Sequence, residues 1–227
     1  MEAETEARVI NVIYILSILG ILVSVVYSFI TESTWLSDNI ICVIILVILM
    51  KYKKAFNTNI FAALVISIML VIHNFGPFGA YTWHFYGFRY DRYLHLYGGF
   101  ALAVFIFRTV VQKEFINDLF KEKFKTFLLI MLLTVGVGAF HEVVEYTGGK
   151  MLGNGEGVFM FGDGDGGVED PYIDLMNDLI GGIIGAILMI QLMPKKSLFD
   201  IKKRKAKKQE PQKIISKNNR IVLKGKN

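Results

Sequence analysis

Residues 9–30, VINVIYILSILGILVSVVYSFI, decide the class of this protein. The stretch runs 22 residues without a charge, and a helix of that length covers about 33 Å, enough to cross a hydrocarbon core of about 30 Å. Glu2, Glu4, Glu6 and Arg8 precede it. A signal peptide would need a basic start, a shorter apolar stretch and a small-residue cleavage site, so the segment is expected to stay in the mature protein as a membrane helix. The composition of the 227-residue chain agrees: 53% is apolar and the mean hydropathy is +0.46, oilier than an ordinary globular domain. A secreted, disordered or collagen-like chain is excluded.

Five further apolar runs follow, at residues 40–50, 60–72, 93–107, 126–140 and 179–193. The second is short, but Trp35 on one side and Lys51, Lys53 and Lys54 on the other can anchor it at the two interfaces. The expectation is an all-α polytopic membrane bundle of six transmembrane helices in residues 1–193. With both termini cytoplasmic, 22 of the 25 Lys and Arg fall on the inner side, leaving only Arg89, Arg92 and Lys150 outside, as the positive-inside rule requires. Dropping the second helix would move either residues 51–54 or the tail outward, so the charge count favours six spans in a plasma or inner membrane.

Two hydrophilic stretches lie on that inner side. Residues 112–125, QKEFINDLFKEKFK, alternate apolar and charged positions near helical spacing, and read as a surface-lying helix in preference to a partner-binding one. Residues 194–227 form a basic tail, with 13 Lys and Arg from Lys195 onward. The tail is expected to be disordered and topogenic; such a charge block also attracts anionic lipid headgroups, at about 1 kcal/mol per basic residue. No aromatic platform accompanies the lysines, so a nucleic-acid partner is not expected. Membrane lipids are the expected partners, and oligomeric state is not legible.

The ionisable residues of the apolar region gather at the opposite ends of the helices. His73-Asn74 closes the third helix, Asp91, Arg92 and His95 open the fourth, His141, Glu142 and Glu145 end the fifth, and Asp170, Asp174 and Asp178 begin the sixth. Asp91/His95, His141/Glu145 and Asp174/Asp178 are each four apart, and so share a helix face. Because charge in a membrane segment is costly and turns toward the bundle interior, these pairs are expected to converge on one outward-facing cluster. Imidazole and carboxylate without thiolate suit Zn²⁺, Mn²⁺ or Fe²⁺. The competing reading is an interhelical network in which Arg89 and Arg92 neutralise the acids. With a single cysteine, Cys42, there is no Cys pair for a zinc or redox motif, and any metal is expected to use His and carboxylates.

Other signals are weaker. Residues 162–167, GDGDGG, resemble the start of a calcium loop, but Gly167 and Val168 stand where a ligand and a glycine are wanted; a flexible acidic turn is the plainer reading. Gly98, Gly99, Gly181 and Gly185 fit close helix packing. His84, beside Trp83 and Phe85, reads as interfacial.

At Tyr90-Asp91-Arg92-Tyr93-Leu94-His95 with Gly99, Glu142-x-x-Glu145, and Asp174-x-x-x-Asp178 before Gly181-Gly182, the sequence resembles the YjdF-like family of small prokaryotic inner-membrane proteins. His73-Asn74-Phe75-Gly76 is similar to that family's His-x-x-Gly at the end of its third helix. The resemblance spans about residues 60–193 and implies six helices but no particular activity. A more distant likeness is to VanZ-like membrane proteins, from which the chain departs at Arg92, Glu145 and Asp178.

Two functions from different classes follow as expectations. In the first, a divalent metal (Zn, Mn or Fe) held among Asp91, His95, His141, Glu142, Glu145, Asp174 and Asp178, with His73 as a possible addition, serves a hydrolase or transferase acting on a lipid-linked or envelope substrate. Glu145 and Asp174 would be the catalytic carboxylates, and Arg89 and Arg92 would bind a substrate phosphate. In the second, the same residues pass protons or cations through the bundle, which requires a polar path continuing inward; the inner halves offer little beyond Thr134 and Gln191. A non-catalytic assembly protein is a third reading.

Overall fold

A computed structural model describes residues 3–111, 123–152 and 169–192. The chain divides into a helical body that ends at Ile190 and a C-terminal segment from Gln191; the basic tail, the amphipathic stretch up to residue 122 and the glycine-rich turn at 162–167 lie outside the described residues. The body comprises α1 (Ala3–Ile30), α2 (Leu36–Lys51), α3 (Ile60–His73), α4 (Tyr90–Ile106), α5 (Lys123–Leu152) and α6 (Glu169–Gln191). Five segments are long and apolar enough to cross a membrane: Ala3–Ile30, Ile60–Phe78, Tyr90–Val110, Lys123–Val144 and Pro171–Gln191. The α2 helix, at 16 residues, reaches about 24 Å and falls short of a full crossing on its own.

The first three helices pack through one apolar seam. Ile10, Tyr14 and Ile21 of α1 meet Cys42, Leu46 and Leu49 of α2 and Ala63 and Leu70 of α3, while Leu16, Leu19, Val23, Val26 and Phe29 face outward. An apolar outer surface of this kind matches a lipid surrounding. With no hydrophobic force between helices in lipid, small residues and interhelical hydrogen bonds guide packing: Ser24 Oγ donates to the Asn74 carbonyl at 3.0 Å and Asn39 Nδ2 to Ser28 Oγ at 2.9 Å. At the opposite end Lys53 Nζ donates to Asn11 Oδ1 at 2.5 Å. Arg108 Nε donates to the Asn57 carbonyl at 3.2 Å, which ties the turn that follows α4 to the α2–α3 connection.

Between α3 and α4 the chain forms two 3₁₀ turns, Gly76–Phe78 and Ala80–Thr82, and a two-residue-per-strand hairpin, β1 (His84–Phe85) with β2 (Phe88–Arg89). The hairpin was not anticipated from the sequence. Its turn places both Tyr86 (φ 51°) and Gly87 (φ 83°) in the left-handed region, the conformation that primed hairpin turns need and that glycine adopts without strain. His84 is exposed on this hairpin among Trp83, Phe85 and Phe88, an interfacial setting.

The second half closes by backbone contact. A Cβ built on Gly99 of α4 would overlap the Asp178 carbonyl, and one on Gly181 of α6 would overlap the Leu96 carbonyl. These two glycines let α4 and α6 approach closely enough to set Asp178 against α4. Replacing Gly99 by Ala must therefore separate two backbones, an overpacking cost of about 1–3 kcal/mol or more. Gly136→Ala meets nothing within 4 Å and gains helix propensity of up to about 1 kcal/mol. Thermal unfolding in detergent is expected to fall for Gly99→Ala and to hold or rise for Gly136→Ala.

Candidate functional site

Asp91 and His95 stand one turn apart on α4, His141 and Glu142 on α5, and Asp174 and Asp178 one turn apart on α6. The structure brings these six together. His95 is the hub: Nε2 lies 3.8 Å from Asp91 Oδ1, while Nδ1 lies 3.5 Å from Asp178 Oδ1 and 4.0 Å from Glu142 Oε1. The His141 ring sits edge-on to it at 5.9 Å between centroids. Asp91, His95, Asp174 and Asp178 are buried, between 4% and 9% exposed, and His141 and Glu142 are half-buried.

Two overlapping trios meet the demands of a metal ligand set, Asp91/His95/Asp174 and His95/His141/Glu142, each with donor atoms within 4.8 Å of one another. The His95 distances of 3.5–4.0 Å are long for hydrogen bonds. They approach the spacing of about 3.4 Å that two donors adopt around a tetrahedral ion with bonds of about 2.1 Å. With carboxylates facing both ring nitrogens, a cation on either side leaves the other nitrogen to donate to a carboxylate, the arrangement that fixes the tautomer of a ligating histidine. Four acids around two imidazoles in a low-dielectric interior call for a cation or protons among them.

The remaining candidates fall around this cluster. Glu145 lies on α5, one turn beyond His141, but its side chain is outside the described set, as is that of Asp170. Arg89 precedes α4 and is half-buried. Arg92 places its guanidinium 6.0 Å from the Phe88 ring centroid. Gly138 makes room on α5, where a Cβ would overlap Asp178 Oδ2.

His73 belongs to a different group. Its Nε2 is 2.7 Å from Asp38 Oδ2 and its Nδ1 3.0 Å from the Tyr81 hydroxyl. Asp38, Cys42 and His73 form a third, fully buried trio within 4.8 Å. The sequence reading missed this group by setting Cys42 aside as unpaired; Asp38 and Cys42, four apart at the start of α2, were the available signal. His141 lies within electrostatic reach of both Asp38 and His73, so the two groups occupy the same end of the bundle.

Apolar membrane-length helices around a buried His/carboxylate cluster define a polytopic helical membrane protein with an intramembrane polar site. The family described as "Predicted membrane protein (DUF2238)" matches residues 10–195. The chain belongs to that family, which is the YjdF-like one; the match does not bear on the VanZ-like likeness. No curated protein and no solved structure matches the chain.

A double-mutant cycle tests the hub. His95→Ala and Asp178→Ala, alone and combined, are expected to be non-additive in thermal unfolding by about 0.5–3 kcal/mol, the range for residues in one network. Simple additivity would show that the two do not interact.

Proposed function

We propose that this protein is a divalent-metal-dependent membrane hydrolase or transferase acting on a lipid-linked or envelope substrate, with its site on the outer side. The observation that supports this reading best is His95, shared by two ligand trios drawn from three helices. Asp91, His95 and Asp174 form the buried holding set. His141 and Glu142, half-buried, form the side toward which a substrate approaches. A bound divalent ion would supply Lewis-acid polarisation and an acidified water. Asp174 orients His95 and balances the ion's charge; Glu145, one turn from His141, is the carboxylate assigned to proton transfer. Arg89 and Arg92, at the entrance to α4, are assigned to a substrate phosphate, for which guanidinium is the matching group.

Transport has less support. Inward of Asp178 the packing continues through Gly182, Met131, Ala186 and Met189, and Thr134, though buried and polar, turns its methyl group to Gly182. That is a thin path for a proton or a hydrated cation.

The outer position rests on six spans with both termini cytoplasmic. The α2 helix completes the count if Trp35 and Lys51–54 extend its reach to the two interfaces. Reporter fusions at the N-terminus, at residue 55, in the 84–89 hairpin and at the C-terminus are expected to place only the hairpin outside. An N-terminus on the opposite side from residue 55 would overturn both the count and the assigned face.

Metal analysis by mass spectrometry tests the chemistry. In detergent-purified Cys42→Ser protein, which disables the Asp38/Cys42/His73 trio, one divalent ion per chain is expected. His95→Ala and Asp174→Ala in that background are each expected to remove it. Metal-free, folded protein after supplementation with Zn²⁺, Mn²⁺ and Fe²⁺ would sink the metal reading and leave transport or assembly.

A further inference from the structure

The Asp38/Cys42/His73 group is a second polar site, separate from the residues assigned above, and it is more completely built. All three residues are buried. Asp38 and Cys42 share one face of α2, and His73 is the last residue of α3. The thiol, carboxylate and imidazole together are the donors of a borderline-soft divalent ion, Zn²⁺ above Mg²⁺ or Ca²⁺.

Charge provides the next step. With Cys42 as a thiol and a proton held between His73 Nε2 and Asp38 Oδ2, 2.7 Å apart, the empty group is neutral. A divalent ion on a thiolate and a carboxylate is neutral as well, so the exchange leaves no uncompensated charge in the interior. On binding, the Cys42 thiol proton and the proton between His73 and Asp38 both leave to solvent, and the lone pairs they held form the metal bonds.

The surroundings of the trio are those of a ligand set held in place. Tyr81 OH stands 3.0 Å from His73 Nδ1 and Asp38 Oδ2 stands 2.7 Å from Nε2; in the tautomer in which Nδ1 donates to the Tyr81 hydroxyl, an ion takes the place of the proton between Nε2 and Asp38. A hydrogen-bonded partner on the distal nitrogen is what ligating histidines have. Tyr81 is fixed in turn by stacking on Trp35, 4.8 Å between centroids and 23° between planes. Trp35 lies directly on Gly76, where a Cβ would come within 2.6 Å of the ring, so the glycine is required for this wall. Asn74 follows His73 and holds a buried oxygen without a hydrogen-bond partner. Its Nδ2 donates to the Leu70 carbonyl at 2.6 Å, its side-chain amide neighbours Cys42, and its Oδ1 accepts no hydrogen bond although the residue is 1% exposed.

We infer that Asp38, Cys42 and His73 bind a Zn²⁺-type ion, with Asn74 Oδ1 as the fourth donor, and that the bound ion pins α2 to the end of α3. Four protein donors and burial under Trp35 make this a closed, structural site.

Co²⁺ added to metal-stripped, detergent-purified full-length protein is the probe. Cys42 is the only cysteine in the chain, so a near-ultraviolet thiolate-to-cobalt charge-transfer band reports this site alone. The band is expected in wild type and in His95→Ala, absent in Cys42→Ser, and displaced by an equivalent of Zn²⁺. Tyr81→Phe keeps all donors and is expected to weaken Co²⁺ binding about 10- to 100-fold, a readout that does not depend on Cys42→Ser folding. No band in monodisperse wild type overturns the inference, as does a band that survives Asp38→Asn together with His73→Gln. Loss of the band in His95→Ala would show that the two groups form one site, also against it. The result is independent of the outer cluster, because the metal content attributed to His95 is measured without Cys42.

Discussion

A charge inside hydrocarbon has no water to turn to, and the rest of this structure follows from how that constraint is met. Asp91, His95, Asp174 and Asp178 are buried on α4 and α6. On α4 His95 faces Asp91 one turn away, but α6 cannot satisfy its own acids, because Asp174 and Asp178, four apart on one face, carry the same need. The groups must be met from another helix, and His95 is placed to do so, with carboxylates of α4, α5 and α6 all within 4.0 Å. The polar cluster therefore sets the relative rotation of three helices, while the apolar surface, compatible with lipid at any rotation, does not.

Meeting that need requires close approach, and close approach requires glycine. Gly99 and Gly181 let the α4 and α6 backbones touch, and Gly138 leaves space on α5 for the Asp178 carboxylate. Gly185 continues the contact, where a Cβ would lie 2.8 Å from the Phe100 carbonyl. In water a bundle could be held by burying large aliphatic side chains between helices; in lipid those side chains gain little by leaving the tails, and small residues with polar contacts take their place. The first three helices use the same means in another form, with Ser24, Ser28, Asn39 and Asn74 bonding across the seam.

Much of this was legible in the sequence because the period of a helix is known and lipid tolerates few charges. The apolar runs located the helices, and the Asp91/His95 and Asp174/Asp178 spacings located the faces that converge. What was not legible depends on distance in space. Nothing in the spacing of Asp38, Cys42 and His73 reveals that α2 and α3 bring them together, since 31 residues separate Cys42 from His73. Tyr81 sits in a 3₁₀ turn with no periodic pattern to announce its hydrogen bond. The hairpin at 84–89 is too short for alternation, and only Gly87 hinted at a turn. The apolar run at 93–107 is shorter than α4, which begins at Tyr90, because hydropathy stops at the first charge while backbone hydrogen bonding does not; the Asp91/His95 spacing is what placed Asp91 and Arg92 on the helix.

The two polar groups differ in what they ask of a cation, and that difference bears on how the bundle works. The group at Asp38, Cys42 and His73 includes sulfur and is walled by Trp35 and Tyr81. The cluster around His95 is richer in oxygen and adds His141 and Glu142. The contrast is one of donor chemistry and not of exposure, since the side chains of Glu142 and His73 are both 10% exposed. His141 lies within electrostatic reach of His95 and Asp178 in one group and of Asp38 and His73 in the other, so neither group can be assigned its charge without counting the other.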